Sequence, residues 1–315
     1  MNEYEIIDLL TRTAGRLPAG YSPLGDDVAS LPSSAGRLVL KSDMLVGRTD
    51  VPPGMTWRQA GRKAVAMCVS DFAAKGVAPL ALMVSLGIPR SLSDGDVRAV
   101  ARGIGDGTAE WGLHLVGGDT NEADDVVIDS IVAGFADRIV ERGGASPGDL
   151  VVVTGEFGTT SAGLKMLLDG AKAAPGFGRA ALRSVRRPSP RLAAGLALRG
   201  HLSSATDSSD GLAICLHSIA EASRLGIRID SLPHARPLEG FAAQNGYRLE
   251  DLVLYGGEEY EIVGTVPQDG LAGAVAAASA AGAHLMVIGE AVEEGRKVTM
   301  AGGDEIPKKG WVHLS

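Results

Sequence analysis

The chain has 315 residues and a mass of 32.4 kDa, enough for two domains and a substantial core, and its 45 % hydrophobic and 22 % charged residues argue against disorder. Thirty basic against 38 acidic side chains give a net charge of −8 with no Lys/Arg run longer than two, which argues against a duplex DNA or RNA binder. Two cysteines, Cys68 and Cys215, build neither a disulfide framework nor a zinc site, and the 43 glycines, about twice the usual share, follow no collagen-like period.

Residues 3–14 place Ile6, Ile7, Leu9 and Leu10 on one helical face, and a Gly/Pro-rich stretch follows as far as Gly25-Asp26-Asp27. Arg37 to Leu40 reads as a strand ending in Lys41-Ser42-Asp43. Thr56 and Gln59 form a capping-box pattern, so a helix is expected from there to about Lys75, stopping at Gly76. Pro79 to Ile88 reads as a strand, Asp94 to Trp111 as a glycine-broken helix, and Leu113 to Val116 and Val126 to Phe135 as strands. Residues 142–149 (RGGASPGD) are the best linker candidate. Beyond them, strands are expected at 150–154, 227–229, 260–266 and 285–288, and helices at 160–168, 191–198, 212–224 and 271–281. The mixture predicts an α/β (α+β) protein in two domains, 1–145 and 146–315.

The longest uncharged stretch, 270–289, is mostly Ala and Gly and reads as a helix running into a strand, because a membrane span needs about 20 strongly apolar residues. With an acidic N-terminus lacking a signal-peptide pattern, a soluble cytoplasmic protein is expected, with no membrane or nucleic-acid partner.

Several familiar sites are missing from the sequence. It contains no Gly-Lys dipeptide for a Walker-type loop, no Gly-x-Ser-x-Gly elbow, no His-Glu-x-x-His pair and no Cys-x-x-Cys. It does contain carboxylates beside Gly, Ser or Thr: Asp26-Asp27, Ser42-Asp43, Ser70-Asp71, Gly118-Asp119-Thr120, Asp207-Ser208-Ser209-Asp210 and Gly257-Glu258-Glu259. Each alone is compatible with an ordinary turn or helix cap. Asp71, however, continues the apolar stripe of Ala60, Ala64, Met67 and Cys68, where a charge needs a neutralising partner. Either a metal or Lys75 at i+4 can supply it. A helix N-terminus likewise satisfies one of Asp207 and Asp210 and leaves the other either solvated or available to a cation. Carboxylate-rich, His-poor and Cys-poor sets select hard ions such as Mg²⁺, whose commonest use is phosphate chemistry. The six histidines show no ligand spacing and are expected to be structural or exposed.

In order and spacing these motifs, together with Val69-Ser70-Asp71-Phe72-Ala73-Ala74-Lys75-Gly76, Gly256-Gly257-Glu258-Glu259-Tyr260-Glu261 and Gly310-Trp311-Val312-His313, resemble the thiamine-monophosphate kinase family over nearly the whole chain. Its superfamily also holds aminoimidazole ribonucleotide synthetase, selenophosphate synthetase and a hydrogenase-maturation protein. The resemblance implies an N-terminal nucleotide-binding domain whose sheet forms a homodimer interface, and a C-terminal α/β domain closing over the cleft. It implies several Mg²⁺ ions held by Asp27, Ser42, Asp43, Asp71, Asp119, Asp207 and Asp210, with Asp43, Asp71 and Asp119 central to catalysis. ATP would be held by Gly118, Asp119, Arg142 and Ser209, and thiamine monophosphate by Glu258, Trp311 and the position of Asp50. The family usually has His where this chain has Asp50, and Asp where it has Glu259. Selenophosphate synthetases carry a reactive N-terminal Cys or selenocysteine, whereas Cys68 lies in the helical stripe. Two other readings carry weight: another ATP-dependent synthetase of the superfamily, and a nucleotide-binding scaffold without turnover. A solvated linker Arg142 and a core-packed Trp311 are the alternatives at those two positions.

Overall fold

A computed structural model of the chain describes residues 27–34, 36–293 and 295–312. The expected helix at 3–14 and His313 lie outside the described residues.

The first half begins with β1 (Ala29–Ser33) and β2 (Gly36–Val46), followed by a single helical turn, α1 (Gly47–Asp50). Helix α2 (Trp57–Ala74) starts where the capping box places it: the Gln59 amide donates to Thr56 Oγ1 and the Thr56 amide to Gln59 Oε1, at 3.3 and 2.8 Å. It ends at Gly76, whose φ of +67° suits glycine. Strand β3 (Pro79–Ile88), helix α3 (Asp94–Trp111), strand β4 (His114–Glu122) and strand β5 (Val127–Ala136) complete a sheet of order β1-β2-β5-β3-β4. Only the β3–β4 pair is parallel. Leu45, Leu82, Ile128 and Val132 from the sheet bury one face against Val65, Val69 and Phe72 of α2 and Ile104 of α3. Among the described residues nothing covers the opposite face, which exposes Met44, Met83 and Phe135.

Across the segment 137–149, the second half runs β6 (Leu150–Val153), α4 (Thr159–Leu168), α5 (Pro175–Arg186), α6 (Leu192–Leu198), β7 (Ser204–Asp207), α7 (Leu212–Ser223) and β8 (Gly226–Ile229). It continues through α8 (Arg236–Asn245), α9 (Leu249–Leu254), β9 (Ile262–Val266), α10 (Leu271–Ala280), β10 (Met286–Val292) and β11 (Val298–Met300). These strands form a six-stranded sheet of order β11-β8-β10-β6-β9-β7, antiparallel except at β8–β11.

The structure corrects the sequence reading in three places. Helices α1, α5, α8 and α9 and strands β1, β7 and β11 were not expected. β4 runs to Glu122 rather than stopping at Val116, because residues 117–122 continue pairing with β3. Helix α2 is not buried along one stripe only. Its C-terminal Ala73 and Ala74 join a second core with Val152, Leu198, Ile262 and Ala274, so one helix is packed between the two sheets. Gly195 of α6 makes that approach possible, since a Cβ there would lie 1.9 Å from the Ala73 carbonyl oxygen. Among the described residues, no helix is long and apolar enough to cross a membrane.

Candidate functional site

Where α2 meets the end of β7, side chains distant in sequence converge. Asp27 precedes β1, Asp71 sits on the last turns of α2, and Asp207 closes β7. All three are buried, and a carboxylate oxygen of each lies within 4.8 Å of the others. Asp43 approaches from the inner side of β2. Burying like charges this closely costs free energy unless cations answer them.

The chain itself supplies three. Lys75 Nζ, fully buried, lies 2.6 Å from Asp27 Oδ2 and donates to the Ala205 carbonyl at 2.7 Å. The i+4 pair with Asp71 therefore does not form. Arg142 pairs with Asp27 Oδ1, which also accepts from Thr206 Oγ1 at 3.1 Å. Lys41 Nζ stands 3.0 Å from Asp71 and 3.8 Å from Asp43. Burial pushes Asp27 up, but Lys75 and Arg142 outweigh it and hold the carboxyl at about 2. Burial and the neighbouring carboxylates push Asp207 up to about 7 and raise Asp71 well above the usual range despite Lys41. Asp43 is raised by burial, and by Asp50 and Asp129. Four carboxyl groups thus face three cations of the chain, in an all-oxygen donor set suited to a hard divalent ion. The residues present fit Mg²⁺.

The nest forms the floor of a cleft of about 480 Å³ between the two halves. Arg142, Ser209, Asp210, Asp50, Glu258 and Trp311 all line it. Neither Asp207 nor Asp210 caps α7, whose N-cap is Gly211 at φ +115°; Asp207 is buried in the nest and Asp210 faces the cleft. Trp311 is 51 % exposed, so it is not packed into the core, and its amide donates to the Asp210 carbonyl at 3.0 Å. The Asp50 carboxylate accepts from the Val46 amide at 2.7 Å and from Thr49 Oγ1 at 3.1 Å, holding its own helical turn. Glu258 is ion-paired with Lys63, which also donates to the Asp50 carbonyl at 2.8 Å. Glu258 and Tyr260 adopt left-handed φ values of +64° and +54°, strain of the kind that collects at functional sites.

Three expected residues are not gathered there. Strand alternation turns Ser42 to the opposite face of β2 from Asp43, where its hydroxyl donates to Asp129 at 2.7 Å. Gly118 and Asp119 lie on exposed β4, paired in register with Val84 and Ser85, and line a separate recess of about 220 Å³. Gly118 is required by that pairing, since a Cβ would lie 2.0 Å from the Val84 carbonyl oxygen.

The sequence reading missed Lys41 and Lys63, and of its two alternatives for Asp71 the pair with Lys75 is not formed. A signal existed for Lys63, which stands eight residues before Asp71 and so shares its face of α2. Of the histidines, His217 is buried and bonded to the Ile306 carbonyl, His234 contacts Leu232 and Glu239, and none in the described residues lines the cleft.

Residues 25–136 match the N-terminal domain of AIR synthase related protein, and residues 146–301 its C-terminal domain. The chain is 40 % identical to the thiamine-monophosphate kinase of Nitrosopumilus maritimus over 229 residues, 73 % of each chain. It is 38 % identical to that of Pyrococcus horikoshii over 294 residues, covering 92 % of this chain and 91 % of the relative. Among solved structures, AaThiL complexed with AMPPCP and TMP superposes with a TM-score of 0.88 at 27 % identity, covering 99 % of this chain and 97 % of that one. The chain belongs to the thiamine-monophosphate kinase family of AIR synthase related proteins.

Proposed function

We infer that this protein is an ATP-dependent kinase that transfers the γ-phosphoryl group of ATP to the phosphate of thiamine monophosphate. The observation that carries the reading is the buried Asp27–Asp71–Asp207 nest at the floor of a cleft lined from both halves. The names and bound ligands of its relatives support the choice of substrates. An oxygen of the acceptor phosphate attacks the γ-phosphorus, its bond to the bridging oxygen breaks, and ADP leaves. The second pKa of a phosphate monoester is about 6, so the nucleophile is already ionised at neutral pH and no general base is needed. This agrees with a cleft lined by no described histidine.

Asp27, Asp43, Asp71, Asp207 and Asp210 would hold Mg²⁺ in the cleft, which Ser42 and Asp119 do not line. When bound, Mg²⁺ neutralises phosphate charge that a protein of net −8 would otherwise repel. Arg142 and Ser209 would donate to ATP phosphates, and Gly118 and Asp119 would take the remainder of the nucleotide. Glu258 and the face of Trp311 would contact the cationic thiazolium, with Asp50 keeping the neighbouring turn in shape. Catalysis is then positioning and electrostatics by direct in-line transfer.

Residues 1–145 would form the nucleotide and dimer unit and 146–315 the closing unit. The exposed apolar face of the first sheet fits a second copy of the chain as partner. A cytoplasmic setting, where ATP is available, suits the reaction. The test is ADP release from ATP with purified protein. Stimulation by thiamine monophosphate is expected. Stimulation instead by formylglycinamidine ribonucleotide or selenide would reassign the chain within the superfamily, and no ATP consumption with any acceptor would make it a scaffold.

A further inference from the structure

We propose that Lys41 is a tethered counter-ion that competes with a divalent cation for Asp71 and Asp43 in the nucleotide-free enzyme. The inference rests on the metal-holding reading of the nest and goes beyond it by dividing the protein's own cations into permanent and displaceable ones.

Lys75 is fully buried, and it holds both an Asp27 oxygen at 2.6 Å and the Ala205 carbonyl at 2.7 Å. Arg142 and Thr206 take the other Asp27 oxygen. Withdrawing Lys75 would strand a buried ammonium, so that pairing is a fixed part of the fold. Lys41 differs in every respect. Its side chain is 21 % exposed and lines the cleft, and its ammonium sits 3.0 Å from Asp71 and 3.8 Å from Asp43. A flexible four-carbon stem lets it swing toward solvent without breaking the nest. It therefore keeps the nest from flying apart while no divalent ion is present, and yields Asp71 and Asp43 when one arrives. Both cations want the same two carboxylates, and their mutual repulsion at a few ångströms prevents full occupancy by both.

The test is direct Mn²⁺ binding to nucleotide-free protein, read by electron paramagnetic resonance and calorimetry, on wild type, Lys41→Met, Lys41→Gln and the surface control Lys165→Met. The Lys41 variants should bind Mn²⁺ at least about tenfold more tightly than wild type. They should also melt lower than wild type in chelator and regain the difference when Mn²⁺ is added. The control should match wild type in both readouts. Unchanged or weaker Mn²⁺ binding in two folded Lys41 variants overturns the competition while leaving the metal site intact. Absence of binding in wild type and variants alike overturns the metal reading itself. Two Lys41 substitutions with circular dichroism of each separate a folding defect from a binding effect, and unfolding of both even with Mn²⁺ present would make Lys41 structural and refute its displacement.

Discussion

Glu259 carries a pH signature that can be worked through from its surroundings. Its carboxylate lies at the N-terminus of α4, accepting from the amides of Gly158 and Thr160 at 2.7 and 3.1 Å and from Thr160 Oγ1 at 2.8 Å. Burial outweighs those bonds and, with Glu261 adding repulsion, lifts the group from 4.5 to about 7. In that window the folded chain binds more protons than the unfolded one. Stability from this group is full below about 4.5 and is lost as pH rises through 7. At about 1.4 kcal/mol per pH unit, the loss approaches about 3 kcal/mol. Glu259→Gln keeps an oxygen for the two amides and removes the ionisation, while the Thr160 hydroxyl can turn to accept. Urea unfolding at pH 5 and pH 8 should show the variant gaining on wild type by about 2–3 kcal/mol between the two conditions. A difference between variant and wild type that is the same at both pH values would refute the reasoning.

Gly195→Ala should lower stability by about 2 kcal/mol, because a Cβ 1.9 Å from the Ala73 carbonyl oxygen puts overpacking at the upper end of about 1–3 kcal/mol while better helix propensity returns about 1. An unchanged urea midpoint would contradict the close packing of α6 on α2. Trp311→Ala should raise KM for thiamine monophosphate about 2- to 30-fold with kcat little changed, corresponding to a cation–π contact of about 0.5–2 kcal/mol. A fall in kcat at unchanged KM would remove Trp311 from the ground-state substrate site.

Much of the architecture was legible wherever local chemistry and tertiary packing agree. The Thr56–Gln59 capping box and the left-handed Gly76 bound α2 in both sequence and structure. Pro79–Ile88 and Asp94–Trp111 coincide with β3 and α3 in both. Strand β7 was hidden because Ser204-Ala205-Thr206-Asp207 has no apolar alternation. It is buried by packing against α2 and α7 and pairs along one edge with β9, and these are long-range facts. Helix α5 opens with Pro175-Gly176-Phe177-Gly178, which reads as a turn, yet proline at the first helical position is well tolerated. The carboxylates of the nest were legible from their Gly/Ser/Thr surroundings and their stripe position. Their lysine partners were not, because which ammonium meets which carboxylate depends on how β2, α2 and β7 come together.

The most direct measurement is ADP release with thiamine monophosphate and ATP at saturating Mg²⁺, comparing wild type with Asp71→Asn. Loss of a central carboxylate from the nest should reduce turnover at least about 100-fold while the protein remains folded. Wild-type release should also vanish when the divalent ion is chelated. Near wild-type turnover in folded Asp71→Asn would contradict a reaction built on that cluster of buried carboxylates.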